Sequence, residues 1–258
     1  MKEAMDPFGK ALSDYMDGKT GEILVMERED GYADGVPVSI FFREPEAFFP
    51  VEKQALERCG GRVLDIGAGT GIHSLALQSR GFSVTAVDVA PLAVDVMKRQ
   101  GVSDARCEDV FDMAPESFDT VLLLCHGIGI VGSVEGLDRF LHRMKPFMAE
   151  DGQLLINSLD VTQTDDPAHL AYHASNRRSG RLAGDIKIRI RYDGMESEWF
   201  HWIQFDRENL AEHAAAAGWA MEVIAEDAGG GVSGEIDAAA SMISDIRECL
   251  SPWERRGK

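Results

Sequence analysis

Cysteine is scarce in this 258-residue chain: Cys59, Cys107, Cys125 and Cys249 stand far apart, with no C-x-x-C pair and no Cys/His cluster at ligand spacing. A disulfide framework and a structural zinc are therefore not expected, and no metal is assigned. Positive charge is also short, with 26 Lys and Arg against 44 Asp and Glu and a net charge of −18. Such a surface repels phosphate backbones, so nucleic acid is not an expected partner. The most basic stretch is local: Asn176-Arg177-Arg178-Ser179-Gly180-Arg181, with Lys187, Arg189 and Arg191 beyond it. It reads as a solvated loop and strand, or as a contact for an anionic substrate. No apolar run reaches the ~20 residues that span a bilayer, and Met1 to Pro7 lack the apolar segment of a secretory leader. The expectation is a cytoplasmic protein without a membrane partner.

What is present is an ordinary globular composition, 45% apolar and 27% charged, long enough to bury a core. From Pro45 onward, helical and extended patterns alternate. Helices are predicted over Pro45–Cys59, Ile72–Arg80, Pro91–Gln100, Val134–Phe147 and Arg207–Ala217. Strands are predicted over Arg62–Ile66, Ser83–Asp88, Asp104–Glu108, Thr120–Cys125, Gln153–Leu159 and Trp219–Ala225. Short glycine turns between them argue for right-handed βαβ units and a mainly parallel sheet. Val121-Leu122-Leu123-Leu124 is apolar throughout, as a strand covered on both faces must be.

The rhythm breaks after Leu159. Asp160 to Gly184 reads as polar and irregular. Ile186 to Tyr192 alternates strictly, Asp193-Gly194 signals a turn, and Glu198 to Phe205 can return as a hairpin partner. The last segment, Asp237 to Leu250, has helical character.

The densest signal is Val63-Leu64-Asp65-Ile66-Gly67-Ala68-Gly69-Thr70-Gly71. An apolar strand runs into three glycines at alternate positions and then a helix. Glycine permits the sharp turn and close approach of a ligand, and the helix N-terminus offers unpaired N–H groups. A dinucleotide site wants G-x-G-x-x-G; here the third glycine comes one position earlier. The stretch resembles the first motif of the class I S-adenosylmethionine (SAM) methyltransferases, (D/E)-x-G-x-G-x-G.

That resemblance implies an α/β, Rossmann-like, mostly parallel seven-stranded sheet with helices on both faces, here carrying an inserted β-hairpin near its C-terminal half. The chain as a whole is similar to a group of bacterial small-molecule methyltransferases with such a hairpin. The domain reading is a cap segment over 1–45, a SAM-binding domain over 46–236 with the insertion 160–205 covering the acceptor site, and a helical tail over 237–258. Val232 to Ile236 is one choice for the last antiparallel strand.

SAM is the implied cofactor and S-adenosyl-L-homocysteine its product. By resemblance, Asp65, Gly67, Ala68, Gly69 and Gly71 meet the amino-acid end. Asp88, at the end of the second strand, accepts from the ribose hydroxyls, with Val89 and Leu92 packing on adenine. Asp109 and Val110 read the adenine edge, with Glu108 as the alternative. The fourth strand ends at Cys125-His126, beside the reaction centre. His126 is the candidate base, since its neutral pKa suits proton abstraction. Phe42, His173, Trp199 and His201 are candidates for the acceptor pocket; Trp202 could shape it with Trp199, and Phe41, Phe48 and Phe49 could close over the ligand with Phe42, though core packing is an equal reading of these aromatics.

The expected activity is SAM-dependent methyl transfer to an O or N atom of a small molecule. The alternative is a non-catalytic regulator that binds SAM or its product, and a homodimer is possible in either case.

Overall fold

The computed structural model describes residues 2–227 and 240–248. In chain order its elements are α1 (Asp6–Met16), β1 (Ile23–Arg28), β2 (Ala33–Pro37), α2 (Pro50–Arg58), β3 (Arg62–Ile66), α3 (Ile72–Ser79), β4 (Ser83–Asp88), α4 (Pro91–Gln100), β5 (Ala105–Cys107), β6 (Phe118–Leu123), α5 (Val134–Met144), β7 (Met148–Asp160), α6 (Pro167–Arg178), β8 (Asp185–Tyr192), β9 (Met195–Glu196), β10 (Phe200–Ile203), α7 (Arg207–Ala216), β11 (Trp219–Asp227) and β12 (Ala240–Glu248).

The main sheet runs β11-β12-β7-β6-β3-β4-β5. Its five strands from β7 to β5 are parallel, and β12 lies antiparallel between β7 and β11. The unbroken apolarity of the central strands follows from burial on both sides. Val121 and Leu123 join a core with Phe140, Phe147 and Trp219 on one face. Leu122 and Leu124 join Val63, Leu77 and Leu56 on the other. Successive residues of a strand point to opposite faces, so both sets must be apolar.

A second sheet, in order β10-β8-β1-β2 with β9 on β8, is wholly antiparallel. Its central pairing joins β1 from the first thirty residues to β8 from the late insertion, with Val25 opposite Arg191 and Met26 opposite Ile190. The cap segment and the insertion are thus one unit, which the pattern along the chain does not reveal. Strand pairing across more than 160 residues leaves no local signature.

Two expected elements are corrected. The stretch 160–184 contains the helix α6, N-capped by the Asp166 carboxylate, which accepts from the Ala168 amide at 2.6 Å. Its polarity hid it; it is tied down by Arg28, which lies 4.1 Å from the centre of the Tyr172 ring and donates to Nδ1 of His169 at 2.9 Å. The helical character read over Asp237 to Leu250 gives way to the strand β12, because the slot between β7 and β11 supplies a backbone ladder on each edge. The suggested strand over Val232 to Ile236 lies outside the described residues. No helix among the described residues is long and apolar enough to cross a membrane.

Candidate active site

β3 delivers its chain to the glycine turn, where Gly67, Gly69 and Gly71 all take positive φ (+66°, +58° and +80°). The turn is held from β4. The amides of Gly67 and Ala68 donate to the Val87 carbonyl at 2.9 and 3.1 Å. Asp88 accepts from the Gly69 amide at 2.9 Å through one oxygen and from the Ala90 amide at 2.9 Å through the other. Burial raises the Asp88 pKa, opposed by those backbone donors. Asp65 is buried too; the Ser74 hydroxyl donates to it at 2.6 Å, and desolvation raises its pKa against the pull of His73.

A cavity opens over the C-terminal ends of β3, β4 and β6. Asp65, Gly67, Ala68, Gly69, Asp88, Val89, Asp109, Val110 and Cys125 all line it, as does Glu108. A Cβ on Gly67 would meet nothing within 4 Å, so the backbone there faces open space.

The remaining expected residues lie elsewhere. Gly71 packs toward α4: a Cβ on it would come within 2.7 Å of Val102 and 3.0 Å of Met97. Leu92 is exposed on α4 and faces α1 at Gly9. Phe42 stacks on Tyr15 with ring centres 4.5 Å apart. His173 is buried beside His169 on α6. Trp199 is exposed under the Arg189 guanidinium, and His201 pairs outward with Asp185 at 2.7 Å. Of the expected aromatics, Phe41 and Trp202 do line the cavity, and Phe200 joins them. Parity along the strand separates them: Phe200 and Trp202 share the inward face of β10, while His201 points to the other. Phe8, Met26, Ile188 and Ile190 also line the cavity, and only the alternation of β8 pointed to the last two.

His126 is likewise outside the lining. Cys125 and His126 both take left-handed backbone (φ +51° and +57°), a costly geometry for non-glycine residues. It is held by the Asn157 side-chain oxygen, which accepts from the His126 amide at 2.7 Å, and by Gln204, which donates to the His126 carbonyl at 2.9 Å. Burial lowers the His126 pKa to about 4, with Glu52 opposing.

Beneath the cavity lies a charged group that no motif announced. Glu52 caps α2 by accepting from the Phe49 amide at 2.7 Å, and accepts from Arg43 at 2.8 Å through its other oxygen. That second oxygen is 3.3 Å from His73 Nε2 and accepts from the Cys125 thiol at 3.3 Å. Desolvation opposes ionisation, but His73 and Arg43 prevail and hold the Glu52 pKa at about 2. The Cys125 thiol is pushed up by burial and by Glu52. Glu52, His73 and Cys125 bring three possible metal-ligand atoms within 4.8 Å of one another. Arg43 already supplies the positive charge that Glu52 requires.

The geometry is mirrored in known proteins. A methyltransferase-domain family model matches residues 63–152. A SAM-dependent methyltransferase from Bacteroides fragilis, solved with S-adenosyl-L-homocysteine, is 31% identical, with 96% of this chain and 97% of that chain covered and a TM-score of 0.79. This chain belongs to the class I SAM-dependent methyltransferases.

Within that family of methyltransferases, shorter similarities point to curated enzymes. A ubiquinone biosynthesis O-methyltransferase of Xanthomonas euvesicatoria is 45% identical over 74 residues, 26% of this chain and 31% of that protein. A demethylmenaquinone methyltransferase of Clavibacter sepedonicus is 36% identical over 93 residues, 34% of this chain and 38% of that one. These matches span about a third of those relatives' length. The cofactor of the family is SAM, and the residues present fit it. The open backbone at Gly67 and the Asp65, Asp88 and Asp109 residues line the same cavity.

Proposed function

We propose that the protein methylates an O or N atom of a small-molecule acceptor, using SAM held over the glycine turn. The observation that carries this reading is Asp88. It braces the turn through Gly69 and also lines the cavity, where a carboxylate can accept from vicinal hydroxyls. In this reading Asp65 faces the ammonium, Asp109 and the Val110 amide read adenine, and the cap residues 1–45 and insertion 160–205 exclude water.

SAM supplies an electrophilic methyl group on its sulfonium. The protein's part is alignment and proton handling. His126, outside the lining and with a pKa of about 4, is a weak proton acceptor. His73 lines the cavity, and its Nε2 lies 3.3 Å from Glu52.

Calorimetric titration with SAM and S-adenosyl-L-homocysteine, with NADH as the control, tests the cofactor assignment. Micromolar binding of the first two is expected. Binding of NADH without either would overturn the reading.

A further inference from the structure

The second sheet decides what kind of molecule can sit opposite the cofactor, and this step rests on the methyltransferase reading. The part of its inner face that lines the cavity is apolar; Arg28 and Asp34 share that face but are not in the lining, Arg28 pairing with Asp30 and lying over the Tyr172 ring. Met26 on β1 stands opposite Ile190 on β8, and Ile188 stands opposite Phe200 on β10; all four line the cavity. Trp202 continues the row, and its ring fills the space above Gly129, where a Cβ would lie 2.1 Å from the indole.

The ionic groups of β8, with Glu27 of β1, lie on the other face. Arg189 pairs with Glu27 at 3.0 Å and with Glu196 at 2.7 Å, and His201 pairs with Asp185. The charged groups and the imidazole in the lining come instead from the residues around the glycine turn and the strand ends: Arg43 and His73, both beside Glu52, and the carboxylates of Asp65, Asp88, Glu108 and Asp109.

We propose that the acceptor is an uncharged, planar aromatic molecule whose ring lies against Trp202, Phe200, Ile188 and Ile190. A flat ring buries large apolar area on such a wall, and aromatic pairs gain further from edge and offset contacts. A charged head against that wall loses its hydration and meets no ionic partner on it. Amino acids and phosphorylated metabolites are selected against on that ground, and sugars because their hydroxyls would find no hydrogen-bond partners on the wall.

The test is calorimetry on the full chain saturated with S-adenosyl-L-homocysteine. It uses three naphthols of matched shape: 2-naphthol, 6-hydroxy-2-naphthoate and 6-(aminomethyl)-2-naphthol. The neutral naphthol is expected to bind at least tenfold more tightly than either charged one. Trp202→Ala is expected to weaken it at least tenfold while leaving S-adenosyl-L-homocysteine affinity unchanged. Phe200→Leu, which keeps the wall apolar, is a milder second variant expected to weaken it a few-fold. Equal or tighter binding of a charged naphthol, no binding of 2-naphthol, or affinity unmoved in both variants overturns the proposal. Failure of S-adenosyl-L-homocysteine itself to bind overturns the methyltransferase reading instead.

Discussion

The indole of Trp202 lies where a side chain at residue 129 would be: a Cβ built on Gly129 falls 2.1 Å from Cε2 and 2.2 Å from Nε1 of that ring. Gly129 belongs to the short helical turn Gly127–Val131 that follows the fourth strand of the parallel sheet, whereas Trp202 comes from the second sheet. One missing methyl group therefore lets the two layers close on each other.

Gly129→Ala is expected to cost about 1–3 kcal/mol, the usual range for overpacking, and to displace the indole. Thermal unfolding measures the first effect. A shift in tryptophan emission measures the second, and unchanged emission with full stability would contradict the contact.

Gly71 separates packing from binding. Its φ of +80° and the crowding of its missing Cβ by Val102 and Met97 make it a folding residue. Gly71→Ala is expected to destabilise the chain by about 1–3 kcal/mol while the folded fraction binds SAM within a few-fold of wild type. Loss of affinity in a fully stable variant would place Gly71 in the binding site after all.

Asp88→Ala removes the acceptor for two backbone amides and the proposed ribose contact. SAM affinity is expected to drop by about 1–3 kcal/mol, roughly five- to 150-fold, when corrected for folded fraction by circular dichroism. Unaltered affinity would sink the ribose role.

His126 gives a pH signature. Its folded pKa of about 4 lies below the ordinary 6.5, so acid protonates the unfolded chain first. The stabilising contribution is present above pH 6.5 and is lost as pH falls toward 4, amounting to about 1–3 kcal/mol. His126→Asn tolerates the left-handed backbone, and denaturant melts at pH 7 and 4.5 should show a smaller acid loss than wild type. Equal losses would assign the pH dependence to other groups.

Glu52→Ala leaves Arg43 largely buried without its carboxylate partner, for which a loss of about 3–5 kcal/mol is expected. In the wild type this ion pair is intact above the ordinary carboxylate pKa of 4.5 and fails as pH falls through about 2. Urea titration of wild type and variant at pH 7 measures the first figure; a difference under 1 kcal/mol would show that solvent replaces the partner.

The cofactor half was legible because its causes are local. Asp65 through Gly71 bend the chain with their own glycines, and Asp88 and Asp109 follow their strands at once, so sequence order is also spatial order. The acceptor half was legible only in part: Phe41 and Trp202 stood out as aromatics, but Phe8, Met26, Ile188 and Ile190 did not. Phe8 and Trp202 are separated by 194 positions, and the pairings of β1 with β8 and of β8 with β10 bring the two ends of the chain to one cavity.

Sequence by itself determined the parallel α/β framework, the glycine turn and the carboxylates that follow it, since helix and strand periodicity and glycine's conformational freedom act over a few residues. Tertiary structure alone decided which face of β10 looks inward, that Glu52 rather than a motif residue sits beneath the cavity, and that residues 240–248 form a strand. Those outcomes depend on burial and on hydrogen-bond partners that distant parts of the chain supply.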